Sequence, residues 1–497
     1  MANQPLNSAA ADGDNVESLR KHWPAALAIS ALVVIPCFWH RHIEAGDLAS
    51  HVYNAWLVQL IHHGAAPGLW IARQNTNVLF DWMLSAFASI FGLVLAEKLS
   101  AGAAVLIFFW GVCAFVFAAS RRFPWFLLPV IAMLTYGWTF HAGFFNYFLS
   151  IGLSSWALAF FWRRCGLRRL IAPIVLAPLI ALANPLGLVW LCGAAVYIAI
   201  AEVVPRRWRS WLLLAAAALV LSADAFIRHN FRFYDLTRGR FLLTGADQLI
   251  LFGRRYELVA LATLLFGVIF LVSDAWRRKQ DPGYWPQFEI PLHLYVIVEL
   301  AVLSLPSTIY LGEYSAPLAF LIQRLTSISA ILMCAMLAPI RPRKWQAIGF
   351  AVAAAIFFSF LYQDTATLNR MENNVQQMVS ELPPGSRVVA TISWSGAAFM
   401  PPIINHIVDR ACTDRCFAYG NYEPASLQFR VRARPGNGIV MTSSDDVSAA
   451  ERGVYLVRPS DLPLYQVYQC SADFTVLCIR ALHSGAANGD LEVHATE

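Results

Sequence analysis

The sequence predicts a polytopic α-helical membrane protein with about eleven transmembrane helices, followed by a soluble C-terminal α/β domain. Three observations predict it. Of 497 residues, 58% are hydrophobic and only 14% charged, where a soluble domain carries roughly a quarter charged residues. Apolar runs near span length recur, separated by short arginine clusters. Past residue 363 the apolar runs shorten and turn residues appear, as in Pro383-Pro384-Gly385 and Pro435-Gly436-Asn437-Gly438.

The elements follow in order. Residues 1–20 are polar and read as a disordered cytoplasmic tail; the first apolar run has no small-residue cleavage site behind it, so it reads as a span and not a signal peptide. Residues 21–363 form the membrane domain, with spans expected at 23–39, 99–119, 123–138, 144–162, 170–183, 186–204, 211–227, 258–272, 292–309, 321–337 and 348–362. Asn184-Pro185 splits one long apolar stretch in two, because proline breaks a helix there. With this count the basic clusters around Arg20, Arg121, Arg163, Arg206, Arg277 and Arg341 all fall on one side. The positive-inside rule makes that side cytoplasmic, which places the N-terminus inside and the C-terminal domain outside.

Counting 78–95 as a span would break that pattern. Asp81, Ser85 and Ser89 also give it a polar stripe at helical spacing, so it reads as a helix on the outer membrane surface. The first outer loop, 41–98, then carries two surface helices. Residues 364–497 are expected to open with an amphipathic helix at 365–382. Short strands are expected at 387–392, 438–441, 454–457, 464–468 and 475–479. Cys412, Cys416, Cys470 and Cys478 fall in this exported part, where an even number reads as two disulfides. Local pairing, Cys412 with Cys416 and Cys470 with Cys478, is one of three connectivities. A zinc site is the competing reading, although the spacings are not those of a zinc ribbon. Cys37, Cys113, Cys165, Cys192 and Cys334 read as small apolar fillers in or beside spans.

No P-loop, G-x-S-x-G or H-E-x-x-H motif occurs, and the basic residues form loop clusters, which excludes a nucleic-acid-binding module. The candidate catalytic residues are Asp47, His51 and Asp81. Asp47, His51 and Asn54 share one face of a helix at i, i+4 and i+7. Asp47 reads as a general base for an acceptor hydroxyl, as a ligand of a divalent metal (Mg or Mn) with Asp81 or His51, or as a helix N-cap. Asp81 reads as a second acid in the same cleft or as a solvated carboxylate. Arg228, Arg232, Arg238 and Arg240 crowd one outer loop and suit a phosphate, with anionic headgroups as the plain alternative. Arg324 at the outer start of a span needs a partner. Glu313, Tyr314 or a ligand phosphate would serve, and a structural ion pair is the simpler case. His141 is a substrate-binding candidate or a helix-end hydrogen bonder.

These residues resemble the GT-C superfamily of membrane glycosyltransferases. The resemblance rests on Gly46-Asp47 after the first span, the surface helices of the first outer loop, the segment His141 to Leu149, and Asn184-Pro185-Leu186-Gly187. It covers about residues 20–360 and implies a GT-C-like fold in a bacterial inner membrane, with the C-terminal domain in the periplasm. It implies an inverting transfer of a sugar from a polyprenyl phosphate to a glycan, lipid or protein acceptor. Asp47 would be the base and the outer arginines would hold the lipid phosphate. A transporter or flippase of a lipid-linked glycan is the first alternative, and a non-catalytic scaffold is the second.

Overall fold

The computed structural model of the chain describes residues 23–164, 166–235, 244–278, 285–312, 317–340, 342–392, 401–471 and 473–489. The candidates Arg238, Arg240, Glu313 and Tyr314, and the cysteine Cys165, lie outside the described residues.

The membrane part begins with α1 (Trp23–Cys37), α2 (Gly46–His62), β1 (Leu69–Ile71), α3 (Leu79–Phe91) and α4 (Leu93–Ser120). The short α5 (Leu128–Thr135) and α6 (Trp138–His141) follow, then α7 (Phe145–Arg163), α8 (Ile171–Ala183), α9 (Pro185–Val203) and α10 (Arg209–Asn230). Next come β2 (Arg232–Tyr234), α11 (Arg254–Arg278), α12 (Trp285–Ser304), β3 (Thr308–Tyr310), α13 (Leu321–Leu337) and α14 (Lys344–Ser380).

Among the described residues, six helices are long and apolar enough to cross a membrane: α4, α8 with the turn before it, α9, α10, α11 and α14. Their outward side chains stay uncovered, as with Ile174, Val189, Leu219 and Leu261, each more than half exposed. Water would penalise such a continuous apolar surface, and a bilayer accommodates it. The chain is a multi-pass membrane protein. The remaining expected spans are shorter or more polar. The expected span 123–138 is not one helix: a 3-10 turn at Trp125–Leu127 precedes α5, and α5 stops at Thr135 before Gly137 caps α6. At 13 residues α3 reaches about 20 Å, short of the roughly 30 Å hydrocarbon core. Asn184 explains the break between α8 and α9, because its side chain accepts from the Leu186 amide at 3.0 Å with Pro185 in the first turn.

The C-terminal part adds β4 (Arg387–Thr391), α15 (Ile407–Ala411), β5 (Phe417–Ala418), α16 (Glu423–Ser426), β6 (Val431–Ala433), α17 (Ser444–Glu451), β7 (Leu464–Gln469) and β8 (Leu477–Ala481). β5, β4 and β7 are parallel, and β8 closes the sheet antiparallel to β7. Cys412 bonds Cys416 and Cys470 bonds Cys478, with Cα separations of 4.6 and 5.8 Å. The expected strand at 438–441 does not form, and 454–457 contributes only the isolated bridge of Leu456 with Ala487.

The boundary expected at 363/364 falls inside a helix. α14 runs unbroken through it, and its second half lays Leu368, Met371, Val375 and Val379 into the C-terminal core. That core is also built from the other end of the chain. β1 pairs antiparallel with β6, Leu69 opposite Ala433, and Tyr53, Trp56, Leu57 and Val58 of α2 lie in the same core. Leu48, Val52 and Ala55 of α2 pack into the membrane core. α2 is therefore no surface helix with one wet face: residues 48–58 are buried all round, between two cores.

Candidate functional site

The site is organised by the N-terminus of α2. Asp47 is not its cap. Ala45 holds that position with no side-chain cap bond, and Asp47 sits in the first turn. The Asp47 amide donates to the Ala142 carbonyl at 3.2 Å. Two glycines allow this close approach. Gly143 has φ +83, and a Cβ there would fall 2.3 Å from the Asp47 nitrogen. A Cβ on Gly46 would meet the carbonyl oxygens of Pro402 at 2.6 Å and Ala142 at 2.9 Å. The Asp47 carboxylate is left free of backbone duty and faces a cleft of about 560 Å³ between the two parts of the chain.

The membrane side of the cleft brings Phe144, Tyr310, Pro317, Phe320 and Arg324; the C-terminal side brings His406, Tyr422, Asp445, Ser448 and Glu451. Arg324 stacks over the Phe144 ring at 4.3 Å, and among the described residues no carboxylate lies within ion-pair distance of it. The simple reading of Arg324 as half of a structural ion pair therefore finds no partner among them. His406 Nε2 lies 3.6 Å from an Asp47 oxygen, and its Nδ1 lies 3.2 Å from Asp409. Burial opposes the His406 cation, but Asp409, helped by Asp47, outweighs it and pushes the pKa up to about 9. Burial raises the Asp47 pKa, while the cations of His406, His51 and Arg324 hold it down.

His51 and Asp81 are brought together, but not as a second pair of acids in this cleft. His51 Nδ1 bonds Asp81 Oδ1 at 2.8 Å, and Asn146 donates to Asp81 Oδ2 at 3.1 Å. Burial alone would lower the His51 pKa; Asp81, with Glu423 at 3.8 Å, reverses this and raises it to about 9. Burial would raise the Asp81 pKa, and the His51 cation lowers it instead. Glu423 is raised by burial to about 8 against the pull of His51. Asp81 is thus neither solvated nor free. It orients His51, which lines a smaller pocket beside Asp47.

This bears on the metal reading that joins Asp47 to Asp81. Both Asp81 oxygens are engaged, Asp81 lines neither cavity that Asp47 lines, and no metal-holding group of three His, Cys, Asp or Glu side chains occurs among the described residues. The residues present do not fit a divalent ion held by Asp47 and Asp81. Arg228 is corrected too. It binds Asp224 at 2.8 Å, Asp235 at 2.9 Å and the Ser304 carbonyl at 2.7 Å, so its guanidinium is spent on structure. Arg232 is exposed on β2, opposite Tyr310 of β3, and does not line the cleft. His141 Nδ1 donates to the Glu44 carbonyl at 2.8 Å and lines neither cavity that Asp47 lines; it supports the loop that carries Asp47.

Sequence reasoning missed His406, Asp409, Tyr422 and Glu423. They stand more than 350 positions from Asp47 and share no periodicity with it, so only the docking of the two parts reveals them. No protein family, curated protein or solved structure matches this chain.

Proposed function

We propose that the chain is a glycosyltransferase that moves a sugar from a polyprenyl-phosphate donor to an acceptor at the extracytoplasmic face of the bacterial inner membrane, on a GT-C-like scaffold. The observation that carries this reading is the Asp47 carboxylate, 3.6 Å from His406, facing a cleft that also holds Arg324, whose guanidinium has no carboxylate partner among the described residues. The two groups answer the two charge problems of such a transfer. Asp47 takes the proton of the acceptor hydroxyl as its oxygen bonds the anomeric carbon. The bond from that carbon to the phosphate oxygen breaks, its electron pair leaves with the lipid phosphate, and Arg324 stabilises the added charge. Attack opposite the leaving phosphate inverts the anomeric centre. His406, cationic at neutral pH, favours the ionised form of Asp47 against its burial. The disulfides suit an oxidising compartment, which supports an outward-facing C-terminal domain.

The test compares wild type with Asp47→Asn, both purified as the full chain in nanodiscs and supplied with a panel of polyprenyl-phosphate sugars and acceptors. Turnover by wild type and a loss of at least a hundredfold in a folded Asp47→Asn is the expected result. Equal turnover by both would remove Asp47 from the chemistry and the proposal with it.

A further inference from the structure

Behind Asp47 the cleft continues into a second, smaller pocket of about 80 Å³. Among the residues the two share are Asp47, Phe144, Arg324, Gln428 and Phe429. Four carboxamides line the small pocket: Asn77, Asn146, Asn184 and Gln428. They come from four separate parts of the chain, and three are held in place. Asn146 accepts from the Phe80 amide at 2.8 Å while donating to Asp81. Asn184 accepts from the Leu186 amide and donates to Asn77 Oδ1 at 2.6 Å. Asn77 is in the left-handed region at φ 51, and its Nδ2 has no partner among the described residues. His51, fixed through Nδ1 by Asp81, has only Nε2 left to offer.

We propose that this pocket holds the donor's sugar as a single uncharged, hydroxyl-bearing ring, a neutral hexose or pentose; the inference rests on the transfer reading above. A carboxamide both donates and accepts, as a hydroxyl does, and carries no charge to select an ion. Charged rings are disfavoured from both sides. A ring carboxylate would sit beside Asp47 with the His51 cation already neutralised by Asp81. A ring ammonium would face Arg324, with Asp47 already paired to His406 at 3.6 Å. Arg324 serves the donor phosphate, so either charged ring would be desolvated without a counter-ion to itself. At roughly 10–15 Å³ per water-sized group, the pocket of about 80 Å³ takes about five to eight groups, so a single ring fills it with part of the sugar left in the adjoining cleft, and no second ring fits. Phe144 and Phe429 line its mouth, so the ring enters with its anomeric carbon left at Asp47 and Arg324.

Binding to the purified full chain tests this without needing turnover. The probes are farnesyl phosphodiesters of glucose, glucuronic acid and glucosamine, with farnesyl methyl phosphate as the singly charged control that lacks a ring. The glucosyl probe is expected to bind at least about tenfold tighter than the methyl ester and than either charged ring. Asn77→Asp is the informative variant. Aspartate tolerates the left-handed backbone and still accepts from Asn184, so only the free donor is lost and a charge gained. It should lose about tenfold for the glucosyl probe and keep its affinity for the methyl ester, which also reports that it has folded. Equal binding of glucosyl and methyl esters, or of neutral and charged rings, would overturn the assignment even if sugar transfer is observed. Ring-dependent binding with no transfer to any acceptor would uphold the pocket and sink the transfer reading instead.

Discussion

Arg410→Met is expected to release the C-terminal part of the chain from the membrane part. Arg410 is 7% exposed and is the cation of a buried cluster. Its Nε and Nη2 donate to the two oxygens of Glu372, each at 2.6 Å. Its Nη1 donates to Glu97 at 2.7 Å and to the Ile43 carbonyl at 3.1 Å. These partners belong to α14, α4 and the loop before α2, so one side chain of α15 ties three elements together. Removing it strands Glu372 and Glu97 in a dry interior. Breaking such a pair from one side costs about 3–5 kcal/mol, which raises the undocked population between about a hundredfold and a few thousandfold. Arg410→Lys keeps the charge but not the fork, and should cost about 1.5–3 kcal/mol. Limited proteolysis and thermal unfolding of the full chain in detergent would read the effect. The control is Arg410→Met combined with Glu372→Met, which removes a stranded carboxylate and should recover part of the loss. If Arg410→Met is as protease-resistant as wild type, the cluster does not hold the parts together. If the double variant is no better than the single, the loss comes from packing and not from charge.

Three further outcomes follow from the same geometry. His406→Gln removes the cation that holds the Asp47 pKa down, so the acid limb of the activity profile should move to higher pH; an unmoved limb would detach His406 from Asp47. Burial, and then Glu372, raise the Glu44 pKa well above the usual carboxylate range against the pull of Arg410. A group whose pKa is raised on folding stabilises below its unfolded value and loses that contribution as pH climbs through the raised one. Glu44→Gln, which still accepts from Asn369 where Glu44 does at 2.7 Å, should therefore flatten the fall in stability that sets in as pH rises above the ordinary glutamate range, seen by thermal unfolding at a series of pH values. Gly143→Ala places a Cβ against the Asp47 nitrogen at φ +83. It should destabilise the chain by about 1–3 kcal/mol, and transfer activity should fall further than stability does, because the displaced residue is the proposed base.

Much of the architecture was legible because hydrophobic length and charge placement carry it. The runs at 170–183, 186–204, 211–227 and 258–272 became α8, α9, α10 and α11 almost at their expected bounds. The break at Asn184 was visible because proline and an N-cap residue have local meanings. Asp47 was legible for a similar reason, a lone acid after Gly46 beside a span. What could not be read was set by contacts between distant segments. A helical wheel puts Leu48 and Trp56 of α2 on one apolar face, yet Leu48 belongs to the membrane core and Trp56 to the C-terminal core. For Arg228 the local partners Asp224, four residues back on its own helix, and Asp235 were within reach of the sequence; only the Ser304 carbonyl comes from a distant helix. His406 had no local signal at all.

The division of α2 between two cores has a consequence for the site. Asp47 is fixed at one end by Ala142 of the membrane part, while further along the same helix the Tyr53 hydroxyl accepts from the Ala418 amide of the C-terminal sheet at 3.0 Å. Asn54 and Asn421 exchange hydrogen bonds across the same seam, the shorter at 3.0 Å. A shift of the C-terminal part therefore moves α2, and with it the base, and not merely the wall of the cleft. His406 moves in the same step, so Asp47 would lose its cation and its position together. The site is complete only when the two parts are docked, which makes Arg410 a positioning residue although it does not line the cleft. The Arg410 variants should lose sugar transfer in the order in which they lose protease resistance. Restoring docking through the Glu372→Met partner substitution should restore transfer with it. Recovery of resistance without recovery of transfer would separate docking from site assembly and refute the coupling.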